Sequence, residues 1–117
     1  MYLICNLKNK LTYNEVKEYI KKLKEVDTSK VDFIICPSIP YIYNFIDYTL
    51  ASQDITAYEN ETITGEITGK QLSSLLVKYV MIGHVERRKY LNENIDILIN
   101  KIKNANENNL KVIYCFH

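Results

Sequence analysis

From Tyr79 to Lys89 the sequence runs YVMIGHVERRK, an apolar stretch opening directly onto an imidazole, a carboxylate and two guanidinium groups. The chain holds only two histidines and three glycines, yet one of each stands here as Gly83-His84. A buried strand that ends this way delivers an acid–base side chain at its C-terminal end, where parallel α/β folds gather functional groups. Other strand-like runs end in Asn6 and Lys8, in Ser38, and in Gln53 and Asp54. Lys8, His84 and Glu86, converging from such ends, could hold one small anionic ligand, a phosphate or carboxylate, and move its protons. Blander readings compete at each position. A loop lysine is ordinarily a solvated charge, and a histidine after a strand is ordinarily a hydrogen-bonded structural residue. Glu86-Arg87-Arg88-Lys89 reads equally as a charged first helical turn, with Glu86 set against the helix dipole.

The elements that must position these residues alternate in type. Tyr2 to Cys5 is a short apolar run, expected as a strand buried on both faces. Thr12 with Glu15 forms a capping-box signature, and Val16, Tyr19, Ile20 and Leu23 follow at helical spacing. Val31 to Cys36 is the next strand, stopped by Pro37 and Pro40. A short helix is expected over Tyr41 to Tyr48 and a short strand over Leu50 to Gln53. Asp54 to Ile67 is a polar loop, longer than most ordered connections. Thr68 and Gln71 repeat the capping signature and open a helix reaching about Leu76. Tyr79 to Gly83 is a strand. Ile95, Leu98, Ile99 and Ile102 mark a helix ending near Asn108-Asn109, and Lys111 to Phe116 is a last strand. The order βαβαβαβαβ, with crossovers long enough for helices, predicts an α/β fold with parallel strands. No linker, repeat or low-complexity tract breaks it, so residues 1–117 read as a single domain. The last strand is an apolar edge with no evident protection.

With 47% hydrophobic and 25% charged residues, the 117-residue chain has an ordinary globular composition. Lys+Arg 15 against Asp+Glu 14 gives a net charge of +1, which offers no electrostatic case for nucleic acid or an anionic membrane surface. No apolar run approaches the roughly 20 residues of a membrane span, and MYLICNLK lacks the features of a signal peptide. Cys5, Cys36 and Cys115 lie in strand-like runs and are expected reduced and buried, which favours a cytoplasmic location. Their spacing fits no zinc pattern, so no metal is expected. No GxxxxGK[ST] or GxGxxG loop is present to cradle a phosphate. The terminal His117 is treated as incidental.

The same residues resemble the triosephosphate isomerase family. Asn6-Leu7-Lys8 is similar to its Asn-Trp-Lys segment, and Cys36-Pro37-Ser38 and Ala51-Ser52-Gln53-Asp54 are similar to the ends of its second and third strands. Thr64-Gly65-Glu66-Ile67-Thr68 resembles the tip and exit of its third loop. Gly83-His84-Val85-Glu86-Arg87-Arg88 matches its signature hexapeptide at all but Val85, and Lys111 to Cys115 resembles its fifth strand. The resemblance implies a partial TIM (β/α)8 barrel that interconverts dihydroxyacetone phosphate and glyceraldehyde 3-phosphate without cofactor or metal. His84 would be the neutral electrophile that polarises the carbonyl, its pKa held down by the helix that follows, an effect already described for this enzyme family. Lys8 would neutralise phosphate and enediolate charge, Asn6 would hydrogen-bond the same oxygens, and Glu86 would complete the catalytic set. Glu66 and Arg87 would pair to brace the site. The loop carrying Thr64 and Gly65 would reach a partner subunit in a homodimer.

Three departures accompany the match. Val85 stands in place of a serine, Leu7 in place of a tryptophan, and Phe116-His117 where the family continues Ile-Gly-Glu. A complete barrel takes about 250 residues, so the catalytic glutamate base and the later phosphate-gripping loops have no counterpart here. The expectation is therefore a truncated isomerase chain without useful turnover alone. The alternative is a non-catalytic half-barrel that self-associates or complements a separate C-terminal half.

Overall fold

The computed structural model describes residues 1–116; His117 lies outside the described residues. Its contacts divide the chain into two compact units, which meet between Gln53 and Asp54.

The first unit carries β1 (Tyr2–Asn6), α1 (Tyr13–Leu23), β2 (Asp32–Cys36), a 3-10 helix (Ile39–Phe45) and β3 (Thr49–Ser52). β1 and β2 pair in parallel from Tyr2↔Asp32 to Asn6↔Cys36, and β2 pairs in parallel with β3 through Ile34↔Thr49. The Thr12–Glu15 capping box forms as the sequence predicts. Val16 and Leu23 then bury against a core of Ile34, Ile35, Ile42, Phe45 and Leu50. The segment after Pro37 is a 3-10 helix (Ile39–Phe45) with Pro40 in its first turn rather than an α-helix. β1 departs from expectation. Tyr2, Leu3 and Ile4 are 61%, 49% and 37% exposed, so the strand is not covered on both faces.

The second unit carries α2 (Gly69–Ser74), β4 (Tyr79–Ile82), α3 (Val85–Tyr90), α4 (Ile95–Glu107) and β5 (Lys111–Tyr114). β4 and β5 pair in parallel from Tyr79↔Lys111 to Ile82↔Tyr114. Two helices, not one, lie between them, because Asn92 adopts φ +54 and ends the first while Asn94 caps the second through Ile97 N–H. The long polar segment before α2 is ordered. The Thr56 amide donates to Ile67 O at 2.8 Å, and Asn104 Nδ2 donates to the carbonyls of Thr56 and Tyr58. At its tip, Glu66 N–H closes a turn onto Ile63 O, with Gly65 at φ +89 where the turn requires a left-handed residue.

α4 turns a different face inward from the one its isoleucines predict. Leu98, Lys101, Asn104 and Ala105 are buried, while Ile95 and Ile99 are 60% and 43% exposed. Asn104 is drawn in by the two carbonyls it binds, and Lys101 by an ionic cluster described below. Cys36 is buried, but Cys5 and Cys115 are only half-buried, which corrects the expectation for those two. Among the described residues no cysteine is in a disulfide, and burial pushes the Cys5 and Cys115 thiols up, away from thiolate reactivity.

Candidate active site

In the first unit, β1 ends at Asn6, and Asn6 Oδ1 accepts the backbone amide of Lys8 at 2.9 Å. This local bond folds the chain back on itself, and Lys8 takes φ +54, the left-handed region that non-glycine residues rarely enter. The Lys8 carbonyl accepts Gln53 Nε2 at 2.7 Å, and the same amide group reaches Cys36 O at 3.2 Å. Gln53, from the end of β3, therefore ties the loop after β1 to the end of β2. Lys8 is exposed, and the side chains of Asn6 and Gln53 hold its left-handed backbone. Ser38, also at a strand end, is the N-cap residue of the 3-10 helix without a side-chain cap bond.

In the second unit, β4 delivers His84 directly to the N-cap of α3. Gly83 makes the turn at φ +83, and a Cβ there would lie 2.6 Å from the Arg88 guanidinium and 3.3 Å from Cys115 O. His84 Nδ1 sits 3.4 Å from the Glu86 amide and 3.1 Å from Glu86 Oε2. One ring nitrogen cannot accept from the amide and donate to the carboxylate at once. The amide is the partner we adopt, because a first-turn N–H has no intrahelical acceptor, whereas the Glu86 side chain is 42% exposed and meets solvent. A neutral ring whose Nδ1 accepts that amide has its N–H on Nε2. Such an imidazole is a hydrogen-bond donor toward an incoming oxygen.

The bracing of this turn differs from expectation. Glu66 and Arg87 do not pair with each other: Glu66 accepts from Thr56 Oγ1 at 3.1 Å. Arg87 instead donates from Nε to Glu93 Oε2 at 2.6 Å and lies 2.9 Å from Asp54 Oδ2 through Nη2. Lys101 Nζ joins both carboxylates, at 2.5 Å to Asp54 Oδ1 and 2.7 Å to Glu93 Oε2. The Lys101 and Glu93 side chains are each 5% exposed, while those of Arg87 and Asp54 are 33% and 29% exposed, so the four-group ionic cluster runs from a buried pair to the surface. Burial raises the Asp54 carboxyl and outweighs the pull of Lys101 and Arg87. Burial also pushes Glu93 up, but hydrogen bonds from Lys101 and Arg87 outweigh it and leave Glu93 lowered.

Sequence reasoning passed over Glu93 and Lys101. One signal was available: Lys101 lies three residues after Leu98, on the stripe where an apolar residue belongs, and a lysine there calls for a buried carboxylate. Thr64 and Gly65 are both exposed at the tip of the long loop. Among the described residues no cluster of three or more His, Cys, Asp or Glu is placed to hold a metal ion, and no helix is long and apolar enough to cross a membrane.

The model of one family, triosephosphate isomerase, matches residues 1–117. Triosephosphate isomerase of Clostridium botulinum (strain Loch Maree / Type A3) is 37% identical over 117 residues, covering 94% of this chain and 47% of the relative. That of Mesomycoplasma hyopneumoniae (strain 232) is 33% identical over 126 residues, covering 97% and 52%. That of Alkalilimnicola ehrlichii is 31% identical over 107 residues, covering 86% and 43%. The chain thus spans about half the length of these curated relatives. Its α/β class and parallel strand–helix order are those of a partial TIM barrel. The chain belongs to the triosephosphate isomerase family.

Proposed function

We propose that residues 1–117 supply the carbonyl-polarising half of a triosephosphate isomerase site, acting on a phosphorylated triose as one domain's share of a barrel. The observation that carries this reading is His84 at the end of β4, at the N-cap of α3, with Nδ1 accepting from the Glu86 amide. From Nε2 His84 donates to the substrate carbonyl and, as enediolate charge develops on oxygen, passes its proton there. Lys8 sets an ammonium against the phosphate and the same charge, and Asn6 hydrogen-bonds the substrate oxygens while holding the Lys8 backbone. Glu86 orients the ring through its amide. Arg87 steadies α3 through Glu93 and Asp54 rather than through Glu66.

None of these groups is placed to abstract the carbon-bound proton, and general base catalysis is worth roughly 10² to 10⁴ in rate. The 117 residues alone are therefore expected to give no turnover above background. Joined to the part of the Clostridium botulinum enzyme that this chain does not align with, they are expected to turn over. Lys8→Ala or His84→Ala then collapses kcat with the circular dichroism spectrum unchanged. Full activity in either variant, or turnover by the 117 residues alone, would overturn the assignment. The exposed turn at Thr64 and Gly65 is proposed as the dimer loop, and three cysteines outside any disulfide fit a cytoplasmic setting.

A second reading, a non-catalytic half-barrel that associates with itself or with a separate half, is favoured by exposed apolar side chains on β1 and by Phe116, 84% exposed beyond β5.

A further inference from the structure

We infer that Arg88 is a positioning residue for His84; this rests on the reading of His84 as the proton-transferring group. The peptide planes on either side of the His84 Cα decide where its side chain points, because each peptide unit is rigid. Arg88 engages both. Its Nε donates to Gly83 O at 2.6 Å, fixing the plane that contains the His84 amide. Its backbone amide donates to His84 O at 3.2 Å, beside the Arg87 amide at 3.0 Å, fixing the plane that follows.

The guanidinium is itself held. Nη2 donates to Cys115 O at 2.7 Å and to the Tyr114 hydroxyl at 3.2 Å, and the Tyr114 ring centroid lies 5.5 Å from its central carbon. Cys115 N–H donates in turn to Ile82 O at 2.9 Å, so the fork ties the ends of β4 and β5 to the turn that bears the imidazole. Short charge-assisted bonds to two carbonyls from one planar fork are a geometry lysine cannot copy. Gly83 completes the device, since any Cβ would meet the guanidinium.

The test reads the His84 ring in the full 117-residue chain. Imidazole ¹⁵N resonances report which ring nitrogen carries the proton, and His84→Gln distinguishes them from those of His117. We expect the wild-type ring to show one tautomer, with the proton on Nε2. Arg88→Met should convert it to a mixture of tautomers, with Arg88→Lys intermediate and Tyr114→Phe close to wild type. If Arg88→Met does not fold, Arg88→Lys decides. An unchanged His84 spectrum in a folded Arg88→Met chain, or in Arg88→Lys when Met does not fold, would overturn the inference and leave Arg88 a carbonyl cap of the strand ends. The readout needs no turnover, so failure of the catalytic reading would show separately, as retained turnover in a His84 variant.

Discussion

Gly83 illustrates how a single residue can answer to two constraints. Its φ of +83 costs a side chain about 1 kcal/mol on conformational grounds, and the Arg88 guanidinium occupies the space a Cβ needs. Gly65 has the same backbone demand, at φ +89, with nothing within 4 Å of its would-be Cβ. Gly83→Ala should therefore lower stability by at least twice as much as Gly65→Ala in urea unfolding; equal losses would deny the clamp. The ionic cluster gives a second contrast. Lys101→Met leaves Arg87 as the one cation that Glu93 and Asp54 share and should cost about 1–3 kcal/mol. Its pH dependence has two arms. Glu93, lowered, contributes stability above the ordinary carboxylate range and loses it as pH falls through its folded value. Asp54, raised, costs stability at neutral pH, and that cost is relieved as pH falls toward the ordinary range. Glu15 and Asp27, lowered by their bonds to Thr12 and Ser29, join Glu93 in the acid loss. The urea midpoint should rise as pH falls toward the ordinary carboxylate range and drop as pH falls below it. Asp54→Asn should abolish the rise, and a wild-type midpoint falling steadily from pH 7 would contradict this account.

At the scale of elements, the caps were the most legible feature of the sequence. Thr12 with Glu15 and Thr68 with Gln71 both form capping boxes where the spacing placed them, because the signal is local and needs no tertiary partner. Thr68→Ala should cost about 1 kcal/mol and, in a helix as short as Gly69–Ser74, speed amide hydrogen exchange across all of α2. Unchanged exchange there would show that packing rather than the cap holds the helix. What the sequence concealed was decided by partners distant in the chain. α4 buries Lys101 and Asn104 instead of Ile95 and Ile99 because Asp54, Glu93 and two loop carbonyls lie across from it. α3 read as a charged first turn because it shows the apolar pattern nowhere. It is held by side-chain bonds from Arg87 and Arg88, and none of its residues is buried. The site was legible in part for the same reason. His84, Lys8 and Asn6 stand at or just after strand ends, where the sequence places them, whereas Lys101 meets Asp54 from far along the chain.

At the scale of the whole molecule, apolar side chains are exposed in both compact units. Tyr2, Leu3 and Ile4 on β1, and Tyr90, Leu91, Ile95 and Ile99 around α4, are exposed apolar side chains of a kind that ordinarily find a partner. The 117 residues in isolation should sediment as more than a monomer at micromolar concentration, and the double variant Leu3→Lys with Ile99→Lys should shift them toward one. A strictly monomeric wild-type chain would remove the support for the self-associating reading. The central claim, that these residues contribute the electrophile of an isomerase, is tested most directly by kcat in the enzyme completed with the Clostridium botulinum C-terminal part. His84→Gln should lower it by about a hundredfold or more while leaving the fold intact. A His84→Gln enzyme as fast as its parent would contradict the account.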